Sequence, residues 1–195
     1  MLRAGVKRLD AILFTHGHKD HTAGLDDVRA YNYVLQRPMD IYAEEQVQTS
    51  LRLEFSYIFA DDKYPGVPKL NMHTINESPF FIDQTEVIPI RAMHLNFPVL
   101  GFRIRQMAYL TDANYITGSE KEKMQGLDCF VVNGLRQEPH ISHFSLKEAL
   151  SLIDDLKPKK AYITHISHQM GLHRQVQDRL PANVFLAYDG LEVSV

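Results

Sequence analysis

The apolar run Ala11-Ile-Leu-Phe-Thr15 passes without a break into His16-Gly17-His18-Lys19-Asp20-His21. A short apolar run of this kind reads as a buried strand. The strand must therefore end in a turn that presents three imidazoles and one carboxylate together. Given ten His in 195 residues, the pattern His-x-His-x-Asp-His has a chance occurrence of roughly 2 in 1000. Neutral imidazoles are preferred ligands of zinc, manganese and iron, and a carboxylate helps balance the charge of the cation. At a strand end, His16 and His18 can aim at one point while Asp20 and His21 turn toward a second. Two metals ~3.5–4 Å apart can share one hydroxide.

Composition limits what surrounds this motif. With 45% hydrophobic and 23% charged residues, the chain can bury a core, and a single domain over residues 1–195 is expected. A net charge of −3, without long runs of one sign, argues against a general electrostatic grip on nucleic acid. Cys129 is the single cysteine, so no internal disulfide forms. Without an apolar run of membrane length or a signal pattern, the expected location is a reducing cytoplasm, and no membrane partner is expected.

Strand and helix signals alternate along the chain. Gly24–Leu35 reads as a helix, residues 40–43 as a strand, residues 44–57 as a helical segment, and Ala60–Pro68, with Pro65, Gly66 and Pro68, as a loop. Residues 72–75, 79–82, 85–94, 99–105 and 107–111 are short Ile/Val/Phe-rich pieces separated by breakers, which predicts a run of antiparallel strands. Alternation then returns, with strands at 129–132, 161–164 and 184–188 and helices at 145–157 and 172–180. Ser145 and Glu148 have capping-box spacing, and Pro158 stops that helix. Asp189-Gly190 signals a turn into a terminal strand at 191–195.

Two metals need more donors than one motif provides, and isolated His and Asp residues stand at predicted strand ends. His94 closes the strand 85–94, Asp112 follows 107–111, and His165 follows 161–164. His16, His18 and His94 would serve one metal, Asp20, His21 and His165 the other, and Asp112 would bridge them. His73, on a neighbouring strand, competes with His94 for that place. His140 and His173 read as packing or surface residues, and Cys129 as a buried, inert thiol.

The segments Thr15-His-Gly-His-Lys-Asp-His-Thr-Ala-Gly24, Tyr109-Leu-Thr-Asp112, Pro139-His-Ile-Ser-His143 and Thr164-His-Ile-Ser-His168 make the chain resemble the metallo-β-lactamase superfamily. Within it the sequence is similar to the phosphodiesterase branch, that of the cyclic phosphodiesterase of the carbon-phosphorus lyase pathway, and more distantly to the tRNA 3′-processing nucleases. The resemblance implies an α/β fold, an αββα sandwich, with a dinuclear site holding two divalent ions, zinc or manganese, on the seven residues above. It implies catalytic roles for Asp20 and His143. His143 would contact the scissile phosphate and protonate the leaving oxygen, and His168 would bind substrate or orient a ligand.

The expected reaction is therefore hydrolysis of a small phosphodiester, with a metal-activated hydroxide as nucleophile. The alternatives are a thioester hydrolase of glyoxalase II type, a tRNA 3′-processing-like nuclease acting on nucleic acid, and an impaired metal-binding fragment. Relatives carry roughly 50 to 80 residues before the first motif, which contribute strands and an Asp that orients a ligand His, whereas here the motif begins at residue 16. The expectation is an N-terminally incomplete sandwich, Met1–Gly5 being the tail of a helix. Such a chain would dimerise, exchange strands or load metal weakly.

Overall fold

The structure is a computed structural model and describes residues 4–194. The chain divides into two compact units, Met1–Ser78 and Pro79–Val195. Of the expected helix tail at Met1–Gly5, residues 1–3 lie outside the described residues, and Ala4 and Gly5 form a turn.

The first unit is built on a parallel three-stranded sheet, β1 (Ala11–Leu13), β2 (Met39–Ala43) and β3 (Leu70–Thr74), in the order β1-β2-β3. Between β1 and β2 lie α1 (Lys19–Thr22), a 3-10 stretch (Ala23–Val28) and α2 (Arg29–Leu35). Between β2 and β3 lie α3 (Glu45–Glu54) and α4 (Ser56–Phe59). Alternation on β2 buries Met39, Ile41 and Ala43, against Val47 and Leu51 of α3 and Leu25 and Val28 of the 3-10 stretch. The expected antiparallel pairing of residues 72–75 is incorrect. The helical segment α3–α4 carries the chain back to the starting end of the sheet, so β3 joins β2 in parallel.

The second unit holds a seven-stranded sheet in the order β10-β9-β8-β7-β6-β5-β4. Strands β4 (Phe80–Ile82), β5 (Thr85–His94), β6 (Phe97–Ile104) and β7 (Met107–Leu110) form an antiparallel meander. From β7 the pairing turns parallel through β8 (Cys129–Asn133), β9 (Lys160–Thr164) and β10 (Val184–Leu186). The intervening helices are α5 (Gly118–Glu122), which no sequence signal marked, α6 (Leu146–Leu156) and α7 (His173–Gln177). Ser145 and Glu148 make the reciprocal capping box at the start of α6, and Lys157 ends it in the left-handed region at φ 49. Leu146, Ala149, Ile153 and Leu156 of that helix pack on Phe130, Val132 and Ile163 of the sheet.

Two expectations near the C-terminus change. The helix expected over 172–180 is confined to α7, and Asp189-Gly190 leads into no strand among the described residues 191–194. Instead the Leu191 amide closes a turn onto the Tyr188 carbonyl at 3.0 Å.

Because β5 runs antiparallel to β6, and β6 to β7, strand β5 has the same direction as the parallel set β7–β10. The carboxyl ends of β5, β7, β8 and β9 therefore share one edge of the sheet, the edge where open α/β sheets gather ligands. Gly101 lies in β6 against β7: a Cβ there would lie 2.8 Å from the Tyr109 carbonyl oxygen and 2.8 Å from Leu110 Cδ1. Gly101→Ala should lower stability by about 1–3 kcal/mol through overpacking, read as a shift of the urea midpoint.

Candidate metal centre

In the first unit the motif follows the end of a strand. β1 ends at Leu13, and three residues later the buried His16 begins the turn. His18 has extended backbone, φ −70 and ψ 149, and caps α1. Its carbonyl accepts from the amides of His21 and Thr22 at 3.0 and 3.1 Å, which winds Asp20 and His21 back toward the strand end. The His16 ring lies 4.6 Å from that of His18 and 4.3 Å from that of His21, centroid to centroid. Asp20 Oδ2 is 3.3 Å from His21 Nε2. Thr15 Oγ1 stands 3.0 Å from His16 Nδ1. Glu54 of α3 receives the Thr22 hydroxyl at 3.0 Å and pairs with Lys19. His73 lies elsewhere in this unit, on Asp40 and against Tyr42.

In the second unit the donors gather around Asp112. Its carboxylate is only 2% exposed, and such a charge is retained in a folded interior only when partnered. His143 Nε2 lies 3.3 Å from Asp112 Oδ2, His165 Nδ1 lies 3.2 Å from Oδ1, and the Thr111 hydroxyl donates to Oδ1. His94, Asp112 and His143 each offer a ligand atom, and these atoms all lie within 4.8 Å of one another. A buried carboxylate with imidazole nitrogens around it is the donor chemistry a divalent cation requires.

The aim of these side chains is set by the loops that hold them. His94 Nδ1 is 2.8 Å from the Ser142 carbonyl. A carbonyl only accepts, so that nitrogen carries the proton and Nε2 keeps the lone pair. His165 turns off β9 in the left-handed region at φ 53, which costs of order 1 kcal/mol and swings its ring back over the strand ends, stacked on His143 at 5.0 Å. The segment after Asp112 is tied to β5 by Met93 and Tyr115. Asn133, fully buried at the end of β8, accepts from the Ala113 amide at 2.8 Å and donates to its carbonyl at 3.0 Å.

His168 is exposed on a 3-10 turn, His168–Met170, and is not among the described residues whose ligand atoms cluster. His140, read from sequence as packing or surface, instead contacts His143: the two Nδ1 atoms are 3.1 Å apart. Burial, the neighbouring His143 and the charge of Arg136 hold its pKa below the ordinary histidine value. Burial and the Asp112 charge raise the Tyr109 hydroxyl. Cys129 is buried, and its thiol pKa is raised by that burial. Asn133, Thr111 and the Ser142 carbonyl escaped the sequence reading. Asn133 ends a strand as His94 does, and the same rule would have found it; a backbone carbonyl carries no sequence signal.

Asn133→Ala leaves the buried Ala113 amide without its acceptor. It should cost about 1–3 kcal/mol of stability and weaken divalent-metal binding by ~10–100-fold, measured by chemical denaturation and metal titration.

The family signature described as Beta-lactamase superfamily domain matches residues 2–166. A crystal structure described as a new diphosphatase from the PhnP family superposes at a TM-score of 0.90 with 34% identity, covering 100% of this chain and 74% of that one. The octanoyltransferase of Porphyromonas gingivalis is 36% identical over 196 residues; the match takes in 100% of this chain but only 39% of the length of that protein. Zn2+-bound PqqB from Methylobacterium extorquens shares the fold at a TM-score of 0.69 and 16% identity, over 95% of this chain and 73% of that one. A buried Asp–His cluster on the carboxyl edge of such a sheet, a signature over most of the sequence and a full-length match to a diphosphatase agree: the chain has the α/β metallo-β-lactamase fold and belongs to the metallo-β-lactamase superfamily.

Proposed function

We propose that this protein is a metal-dependent hydrolase of a phosphodiester or diphosphate link in a small molecule. The observation that carries the reading is the group His94, Asp112 and His143, on a chain 34% identical to a diphosphatase. His16, His18, Asp20 and His21 are a second group of donors. Imidazole and carboxylate donors of this kind suit zinc or manganese, and the reading takes two divalent ions. When bound, such ions neutralise phosphoryl oxygens and lower the pKa of water.

The chain's own residues do the rest. Asp112 supplies fixed negative charge, and its two flanking imidazoles, at 3.3 and 3.2 Å, keep that charge from standing alone in the interior. Ser142 holds His94 in one tautomer. His143, with a side chain 12% exposed, is positioned to give a proton from Nε2 to the departing alkoxide, a contribution of about 10²–10⁴-fold. Acyl-thioester hydrolysis is the second reading, favoured by the relative named an octanoyltransferase.

Protein loaded separately with zinc and with manganese should cleave bis(p-nitrophenyl) phosphate and a ribonucleoside 2′,3′-cyclic phosphate, and lose both activities to a chelator. Loaded protein that leaves both diesters intact while hydrolysing an S-octanoyl thioester replaces the first reading by the second.

A further inference from the structure

We infer that Glu54 is a positioning residue for the motif turn: its carboxylate grips both ends of α1 and so fixes where Asp20 and His21 stand. α1 has only four residues, Lys19–Thr22, and the side chain of its N-cap, His18, makes no capping hydrogen bond. One turn of helix is not stable by itself in water, so its direction is imposed from outside. Glu54 is the last residue of α3. Through Oε1 it pairs with the Lys19 ammonium at the first position of α1, and through Oε2 it accepts the Thr22 hydroxyl, at 3.0 Å, at the last.

The two contacts are unequal. The Lys19 side chain is 71% exposed, and a pair so open to water holds little. Thr22 is buried, and its hydroxyl has the Glu54 carboxylate on one side and the His18 carbonyl, at 3.2 Å, on the other. With one proton to give, it favours the charged and nearer oxygen. The His18 carbonyl is already served by the amides of His21 and Thr22. The same side of α3 receives the start of the turn. Ser50 stands one helical turn before Glu54, and a Cβ on Gly17 would lie 3.3 Å from both Cβ and Oγ of Ser50. The Lys19 ammonium rests 5.5 Å from the centre of the Phe55 ring. Residues 17–22 are thus held along α3 from Ser50 to Glu54. The inference rests on the reading of His18, Asp20 and His21 as metal donors and is independent of the reaction.

Zinc titration and native-state hydrogen exchange of the full chain test it. In Glu54→Leu, and in the shape-matched Thr22→Val, zinc should bind ~10–100-fold more weakly. In the metal-free variants the His21 and Thr22 amides should exchange ~10-fold faster or more, as a local opening, while that of Ile41 in β2 holds its wild-type rate. The double variant should be no weaker than either single one, because both changes break one bond. Glu54→Gln, whose Oε1 still accepts from Thr22, and Thr22→Ser should each recover most of the affinity. Tyr57→Phe removes a bond from α4 to Asp26, beyond the motif, and should leave zinc affinity within about twofold. Wild-type affinity in Glu54→Leu overturns the inference, as does a Gln variant no better than Leu or an equal loss in Tyr57→Phe. Wild-type protein that binds no zinc would defeat the donor reading instead, and exchange in the metal-free proteins would still decide whether Glu54 holds the turn.

Discussion

Asp112→Asn should abolish diester hydrolysis, lowering turnover by ~10³-fold or more, a loss of about 4 kcal/mol in the barrier. The substitution keeps the shape of the side chain and removes only its charge. That charge is the centre of the buried cluster, 3.3 Å from one imidazole and 3.2 Å from another. An amide at this place offers one oxygen and two N–H groups, so at least one neighbour would face a donor where it now faces an acceptor. The divalent metal retained after dialysis, measured by elemental analysis, should fall together with activity. Chelator-treated wild type and variant should differ in stability by no more than about 1–2 kcal/mol, because the hydrogen bond from Thr111 can persist to the amide oxygen. A variant with wild-type metal content and turnover would remove Asp112 from the centre.

His143→Ala should separate catalysis from metal loading. With the cyclic ribonucleoside phosphate, whose leaving group is a basic alkoxide, kcat should drop by about 10²–10⁴-fold. With bis(p-nitrophenyl) phosphate the loss should be distinctly smaller, since nitrophenolate leaves with little protonation. Metal content should hold near the wild-type value. Equal losses on both substrates would show that His143 does not act as the acid. Metal lost in parallel would make His143 a ligand beside His94 and Asp112 rather than the acid.

The sequence marks several of these donors by where strands stop. His94, Asp112 and His165 are isolated polar residues that close or follow apolar runs, and they stand at or just beyond the ends of β5, β7 and β9 on one edge of the sheet. A run of residues with period two announces its own end, and a strand end is where a side chain leaves the sheet. The capping box at Ser145 was readable for a similar local reason.

Pairing partners were not legible. Residues 72–75 carry the same composition as the meander strands, and only the return path through α3 and α4 makes β3 a parallel neighbour of β2. The contact of His140 with His143 was not legible either, since an imidazole beside a proline in a loop reads as surface until the loop folds its ring onto His143. How His94 is aimed depends on a carbonyl 48 residues further along, which no side-chain pattern encodes.

The loop between β8 and α6 has a consequence for how such a site can change. The Leu135 amide bonds to the Phe144 carbonyl at 2.9 Å, and the Phe144 amide to that of Ala113 at 2.7 Å. The two ends of the loop are thus fastened to each other and to the strand ends, while Gln137, Glu138, Pro139 and Ile141 stand exposed. A closed loop of this form can exchange or lengthen its tip at an entropic cost of only about 0.6 kcal/mol per doubling in length. New substrate contacts can therefore be tried at the tip while Asp112 stays where it is. The strand end that holds Asp112 and the exposed tip of the loop can therefore change independently of one another.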